Sequence, residues 1–416
     1  MAIPVDASLP AAGTPPRLLR HRSFVLFWCA RTSTTGAYQM LAVAVGWQLY
    51  DLTNNPLDLG IVGLMQFLPL LALSIFVGQI ADRYDRRALI RITQAAKALA
   101  AVALAVGTLS GWLTRELMFT ILFVIGTARA FELPTMHAIV PDIVPQSILP
   151  RAIAAAATAQ QTAIVCGPAI GGVIYLIGPA TVYLTCAAIF VAAAVLVSLV
   201  HTAFAKQDKT PISLATLFAG FNYIAGRQVL FGVISLDLFA VVLSGVTALL
   251  PIYARDVLHT GPWGLGLLRS APAIGALVVS AVLSRRMITH RVGRYLFVSV
   301  AAYGLAITIF GISGSLVLSL VALAAYGAAD AVSVVIRHSL VQLRTPNEML
   351  GRVMSVNMMF AGTSGTLGEF RAGVMAALIG AVPVVLIGGI GAVAVTLLWM
   401  RLFPELIRID KLIGDP

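Results

Sequence analysis

Stretches of about twenty apolar residues, long enough to cross a bilayer core as helices, alternate with short polar loops along almost the whole chain. Six of them cover 24–50, 59–81, 88–111, 117–140, 153–176 and 180–199, and a hydrophilic connector follows. Six more cover 230–254, 265–283, 295–312, 316–336, 353–379 and 382–402. Each is expected to be a helix, because an open strand in lipid leaves backbone groups without partners. The pattern predicts an all-α membrane protein, with twelve transmembrane helices in two six-helix bundles. The expected units are a tail (1–22), a first bundle (23–200), a connector (201–227), a second bundle (228–403) and a second tail (404–416). In the connector, Leu214, Leu217, Phe218, Phe221 and Ile224 recur at helical spacing, which predicts a short amphipathic helix on the membrane face.

Composition strengthens this picture. Hydrophobic residues make up 59% of the chain and charged residues 11%, too little polar surface for a water-soluble shell. The net charge of +11 lies in short loops rather than in one patch, so it reads as a topology signal and not as a nucleic-acid footprint. One set of loops, with both tails, holds Arg17, Arg20, Arg22, Arg83, Arg86, Arg87, Arg151, Lys206, Lys209, Arg285, Arg286, Arg291, Arg294, Arg344, Arg352, Arg408 and Lys411. The opposite set holds Arg115 and Arg255. Both termini and the connector are therefore expected on the cytoplasmic side, which requires an even number of spans. The N-terminus has no charged start followed by a short apolar run and a small-residue cleavage site, so the first span reads as an uncleaved anchor.

Candidate chemistry of the enzymatic kind is missing from the pattern. Cys29, Cys166 and Cys186 all lie in apolar stretches and read as small buried hydrophobes, not as a disulfide framework. The six histidines are scattered, and no cluster has metal-ligand spacing. The chain has no glycine-rich loop ending in Gly-Lys-Ser/Thr, no His-Glu-x-x-His, and no Gly-x-Ser-x-Gly at a strand-to-helix turn. The expectation is no enzyme, no ATP-driven pump, no metal and no cofactor.

The halves repeat each other. Leu59-Gly60 and Leu265-Gly266 follow Pro56 and Pro262 at the same distance, and this register pairs Arg31 with Asp237. A second register pairs His137 with His338, Pro145 with Pro346, Arg151 with Arg352 and Arg129 with Asp330. Two related bundles with a site at their interface are a recurrent plan of secondary transporters.

Two motifs refine the reading. Gly78-Gln79-Ile80-Ala81-Asp82-Arg83-Tyr84-Asp85-Arg86-Arg87 closes the second span. It resembles the loop signature of the major facilitator superfamily, with Asp85 where the general pattern has glycine. The resemblance implies that Gly78, Asp82, Arg83, Arg86 and Arg87 form a cytoplasmic charge network that latches the two bundles. Gly167-Pro168-Ala169-Ile170-Gly171-Gly172 in the fifth span resembles the "antiporter" motif of superfamily exporters. Pro168 can bend the helix, and Gly167, Gly171 and Gly172 admit a neighbour closely. The alternative for this motif is ordinary glycine-mediated packing. The stretches 44–53, 128–134 and 367–373 narrow the similarity to the enterobactin-exporter-like branch, related to macrolide-efflux proteins. The fold this implies is the major facilitator fold.

Charges within spans carry the functional argument: Arg31, Lys97, Arg129, Glu132, Asp237, Arg269, Asp330, Glu369 and Arg371. A charge at the bilayer centre costs roughly 3 kcal/mol on insertion scales, so each should face the interior, water or a partner. Lys97 is expected to snorkel. Glu369 and Arg371, two apart, point to different helix faces and are read as packing or gating residues. In the superfamily fold, spans 1, 4, 7 and 10 line the central cavity, and these hold Arg31, Arg129, Glu132, Asp237 and Asp330. Arg31 is expected to pair with Glu132, or to alternate between Glu132 and Asp237, so that a carboxylate losing its cation takes up a proton. Arg31, Glu132, Asp237 and Asp330 should then share one crevice between the halves; fixed ion pairs that only aid packing are the alternative. Gln39, Gln66, Phe131, Phe239 and Tyr326 are candidate cavity-lining residues.

The resulting expectation is a functional monomer in a bacterial cytoplasmic membrane, exporting a small amphipathic compound by proton antiport and alternating access. By resemblance, siderophores and hydrophobic antibiotics are the expected cargo. The alternatives are a proton-coupled importer of a small metabolite and a membrane sensor or scaffold.

Overall fold

Backbone amides in hydrocarbon must find partners within their own segment, and this chain meets that demand with helices. The computed structural model describes residues 18–83, 85–201, 214–286 and 288–411, and among them no strand forms. The first half contains α1 (Arg22–Thr53), α2 (Pro56–Arg83), α3 (Arg86–Leu109), α4 (Arg115–Ala138), α5 (Leu149–Ile174) and α6 (Pro179–Ser198). The second contains α7 (Gln228–Val257), α8 (Pro262–Leu283), α9 (Val292–Ile312), α10 (Leu316–Leu343), α11 (Asn347–Ile379) and α12 (Ala381–Leu402). Ten of these are long and apolar enough to span a membrane. The remaining two, α1 and α11, are more polar: α1 carries Arg31 through Thr35, and α11 carries Glu369 and Arg371.

Within the first half, α1 packs on α5 and α6, α2 on α4, and α3 on α4 and α6. The second half repeats this plan: α7 packs on α11 and α12, α8 on α10, and α9 on α10 and α12. The halves meet through α5 against α8 and α2 against α11, two contacts related by the repeat. Between the halves, the helix Leu214–Ala225 lies on α11, where a Cβ at Gly220 would come 2.8 Å from the Arg352 carbonyl. Of the tails and connector expected at 1–22, 201–227 and 404–416, residues 1–17, 202–213 and 412–416 lie outside the described residues.

The start of α1 and the end of α6 share one end of the molecule, where the His201 amide donates to Ser23 Oγ at 3.2 Å. The tail after α12 is tied to that end by Val292 and Gly293 amides donating to the Asp410 and Ile409 carbonyls at 3.2 and 2.9 Å. This is called the terminal end below, and the opposite one the far end.

The span expected over 230–254 is not one uninterrupted α-helix. Gly245 adopts φ 49° and divides α7 into Gln228–Ser244 and Val246–Ile252, with a π-helical turn at Tyr253–Val257. Glycine is required there: the backbone is left-handed, and a Cβ would run into the Gly368 backbone of α11. The interruption frees carbonyls, and Arg371 of α11 fills the gap, with Nε donating to Val242 O at 2.9 Å and Nη2 donating to Leu243 O.

Candidate functional site

Both halves contribute to a central cavity of about 330 Å3. Gln39 of α1, Gln66 of α2 and Arg129 of α4 face it from one side, and Arg269 of α8, Thr366 and Glu369 of α11 from the other. A second cavity of about 140 Å3 continues into the first half, lined by Arg31, Thr34, Arg129, Glu132, His137 and Gln160 among others. The two share Tyr38, Gln39 and Arg129. Lining helices expose polar side chains on one stripe while their other faces pack, which is how α1 can be both buried and polar.

Glycines set the shape of the central cavity. Arg269 lies against Gly46 of α1, whose Cβ would come 3.6 Å from Nη2. Glu369 lies against Gly63 of α2, whose Cβ would come 2.8 Å from Oε2. Two charges from the second half thus cross toward two glycines of the first. Glu369 and Arg371 do diverge around α11: one reaches the cavity, the other the break in α7.

The expected pairing of Arg31 with Glu132 is corrected by the structure. Glu132 is held by Lys97, whose Nζ lies 2.8 and 2.7 Å from its two oxygens, and by Gln94 Nε2 at 2.7 Å. Lys97 does not snorkel; it is 1% exposed and reaches from α3 into the bundle, with Nζ 4.6 Å from the Phe190 ring centroid. Gln94 and Lys97, three apart, present one face of α3 to Glu132, and that spacing is the signal that could have found them. Arg31 instead donates to Gln160 Oε1 of α5 at 2.6 Å and lies 3.4 Å from His137 Nε2.

Nor do Arg31, Glu132, Asp237 and Asp330 share one crevice. Arg31 and Glu132 line the cavity of the first half, whereas Asp237 and Asp330 line a pocket of about 10 Å3 with Tyr303 and Ser333 inside the second. Asp237 is ion-paired with Arg337 of α10. The span read as 316–336 stops one residue short of Arg337, although the helix runs on to Leu343, and so this charge falls outside the charges read within spans. Among the candidate lining residues, Gln39 and Gln66 reach the central cavity. Phe131 is absent from the walls of the cavities described above. Phe239 is half-exposed and stacks on Trp399 of α12, centroids 5.2 Å apart, while Tyr326 stacks on Tyr303 at 4.8 Å. Aromatic packing partners were available for both, and packing took them.

At the terminal end, the side chains of Gly78, Asp82 and Arg83 lie outside the described residues. Asp85, where the loop signature has glycine, caps α3 by accepting from the Arg87 amide at 3.0 Å. Arg86 bonds Asp142 at 2.6 Å and the Ala138 carbonyl at 2.8 Å, and Arg87 donates to Val200 O at 2.8 Å. Among the described residues, the bonds of both arginines stay within their own half.

At the far end the halves close on each other. Gly167 and Gly171 let α5 approach α1, where their Cβ atoms would come 2.8 Å from Gln39 Cβ and 2.7 Å from Met40 Cα. Gly172, beside Pro168, turns to α8, with a would-be Cβ 3.0 Å from Trp263 Cα and 3.2 Å from Gly266 Cα. Gly60 of α2 and Gly373 of α11 make the matching contact. Polar bonds cross the same end: Tyr50 OH donates to Asp256, and Arg255 reaches Asn54 and lies 3.3 Å from Tyr50 O. The Arg255 guanidinium also stacks 4.3 Å from the Tyr50 ring centroid. The arrangement is a chamber with polar walls from both halves, bounded at the far end by these contacts.

Relatives and solved structures agree with this architecture. An enterobactin exporter, EntS, of Citrobacter koseri is 26% identical over 397 residues, 94% of each chain. An enterobactin exporter of Escherichia coli O1:K1 is 24% identical over the same share. Among solved structures, the nucleoside transporter NupG superposes with a TM-score of 0.69 at 16% identity, over 92% of this chain and 99% of that one. A bacterial homolog of the human lysosomal transporter Spinster, inward-facing and unoccupied, gives 0.73 at 14%, over 95% and 99%. A bacterial homologue of the iron transporter ferroportin, also inward-facing, gives 0.67 at 17%, over 94% and 100%. The fold is the major facilitator fold, and this is a multi-pass membrane transporter, not an enzyme. The model of the transmembrane secretion effector family of the major facilitator superfamily matches residues 14–411, and the chain belongs to that family.

Proposed function

We propose that the chain is a secondary-active exporter of a small amphipathic compound, driven by proton antiport and alternating access. The observation that carries this reading is the chamber between the halves, polar on both sides and closed at the far end. The basic loops and tails argue that the terminal end, opposite the inter-half contacts of the far end, faces the cytoplasm of a bacterial inner membrane. Cargo then enters from the cytoplasm, and rocking of the two bundles about the chamber releases it outside. The full-length similarity to enterobactin exporters supports a siderophore or a hydrophobic drug as cargo. Each half holds its own charge pair, which supports a monomer as the functional unit.

Proton coupling rests on carboxylates that are buried beside movable cations. Glu132 is neutralised by Lys97 in this state, and Asp237 by Arg337. If rocking separates such a pair, the bare carboxylate in a dry site binds a proton. The test is cargo-driven proton movement in everted vesicles. Loss of that movement in Glu132→Gln, Asp237→Asn or Asp330→Asn supports the coupling; intact movement in all three removes it. A deletion strain screened for antibiotic sensitivity and for secreted iron chelators identifies the cargo.

A further inference from the structure

The joined cavities carry an imbalance of charge. Four basic residues, Arg31, Lys97, Arg129 and Arg269, face two carboxylates, Glu132 and Glu369. Lys97 and Glu132 neutralise each other at 2.7 Å. Among the described residues, Arg31, Arg129 and Arg269 form no ion pair within 4 Å of a carboxylate. Glu369 shares the central cavity with Arg269 and answers it at longer range. Arg31 feels Glu132 at longer range, but Glu132 is already paired with Lys97, so Arg31 and Arg129 leave the joined cavities with an excess of positive charge.

Both are held in place by neutral groups. Arg31 is oriented by Gln160 and His137. Arg129 lays its flat face over Tyr38, with Cζ 3.7 Å from the ring centroid, and Tyr38 is itself bonded to Gln66. Stacking occupies the face of a guanidinium and leaves its N–H edge free, the edge that fits two acidic oxygens at once. Thr34, 6% exposed and lining the same cavity, has a buried hydroxyl with no hydrogen-bond partner. Arg269 likewise keeps a buried Nε without a partner. A lone cation at membrane depth costs roughly 3 kcal/mol. Fixing two of them beside an unpaired hydroxyl, with neutral supports, fits a site that completes itself with an incoming anion.

We propose that the cargo is an organic anion, an apolar body bearing a carboxylate, phenolate or sulfonate group that docks on the N–H edges of Arg129 and Arg31. This rests on the transporter reading above and adds the charge of what is carried. A cationic compound of the same size meets two like charges in the same space and is excluded.

The test uses the purified full chain in nanodiscs and two xanthene dyes of similar shape and opposite charge, fluorescein (anionic) and rhodamine 123 (cationic), with binding read by fluorescence anisotropy. Fluorescein is expected to bind at least about tenfold more tightly, the difference that one buried charge contact supports. Arg129→Gln and Arg31→Gln should each weaken fluorescein by about tenfold and should not weaken rhodamine 123. Arg151→Gln, a change at an exposed position in the first turn of α5, should leave both affinities alone. Thermal unfolding of each variant identifies any that does not fold, and the other arginine variant then decides. Equal or tighter binding of rhodamine 123, binding of neither dye, or unchanged fluorescein affinity in both arginine variants overturns the proposal. Anion binding without cargo-driven proton movement leaves the proposal standing and removes the antiport reading instead.

Discussion

Lys97 and Glu132 show what a buried charge demands of its surroundings. Lys97 is 1% exposed, and its partner carboxylate accepts three short bonds. Deleting one member of such a pair leaves the other uncompensated, at a cost of about 3–5 kcal/mol. Lys97→Met should therefore lower the unfolding temperature markedly, whereas Lys97→Met combined with Glu132→Gln should recover much of the loss, as read by scanning fluorimetry in nanodiscs. If the double variant is no more stable than the single one, the pair is not the determinant. That Glu132 is buried with a cation could be read from the sequence, since a carboxylate in an apolar span needs one. Which cation it takes had a single signal, the three-residue spacing of Gln94 and Lys97. Arg31, Arg129 and Lys97 all lie at reachable depth, and the choice is made by helix rotation, which turns Lys97 inward with Gln94 and turns Arg31 toward Gln160. The carboxylates Asp237 and Asp330 were legible as intramembrane charges, but the ion pair that holds Asp237 within the second half uses Arg337, whose position hinged on one more turn of α10.

At the scale of elements, small residues decide how helices meet and where they break. The fifth-span motif was legible as a close-approach surface, and the structure divides it between two neighbours, α1 and α8. Its division follows from the 3.6-residue repeat, which puts Gly167 and Gly171 on one face and Gly172 on the next. Gly266→Ala would place a methyl 3.2 Å from Gly172 Cα and 2.5 Å from the Pro168 carbonyl, closer than packing allows. The far-end contact of α5 with α8 should loosen, so a cysteine introduced by Thr247→Cys at the central cavity should react several-fold faster with an impermeant maleimide added from outside cells. An unchanged rate would mean that this contact does not govern closure. The break in α7 was not legible, because Gly245 within an apolar run is unremarkable until the Gly368 backbone lies against it. Arg371→Met should leave the Val242 and Leu243 carbonyls short of a donor, a cost of about 1–3 kcal/mol for a buried polar group, seen as a drop in unfolding temperature.

Across the whole molecule, the balance between a closed and an open far end is a difference between two sets of inter-half contacts, and small changes tip it. The polar clasp joins the end of α1 to the π-helical turn of α7 through Tyr50, Asn54, Arg255 and Asp256. Tyr50 is buried, but Arg255 and Asp256 are partly exposed, so each charged contact contributes at most about 1 kcal/mol after screening. Removing several together, as in Tyr50→Phe with Arg255→Ala, withdraws on the order of 1–2 kcal/mol, which shifts a two-state equilibrium roughly five- to thirtyfold. The apolar packing of α2 on α11 stays, so the shift is toward the open state without loss of the fold. Spin labels attached through Ser110→Cys and Gly314→Cys, exposed on far-end loops of opposite halves, report the separation, with Cys29, Cys166 and Cys186 replaced by serine. The parent chain should give one distance, and the clasp variant should add a longer population. If the distribution does not change, the closed far end is held by the glycine contacts alone, and opening must be driven by cargo and protons acting on α2, α5, α8 and α11 rather than on the clasp.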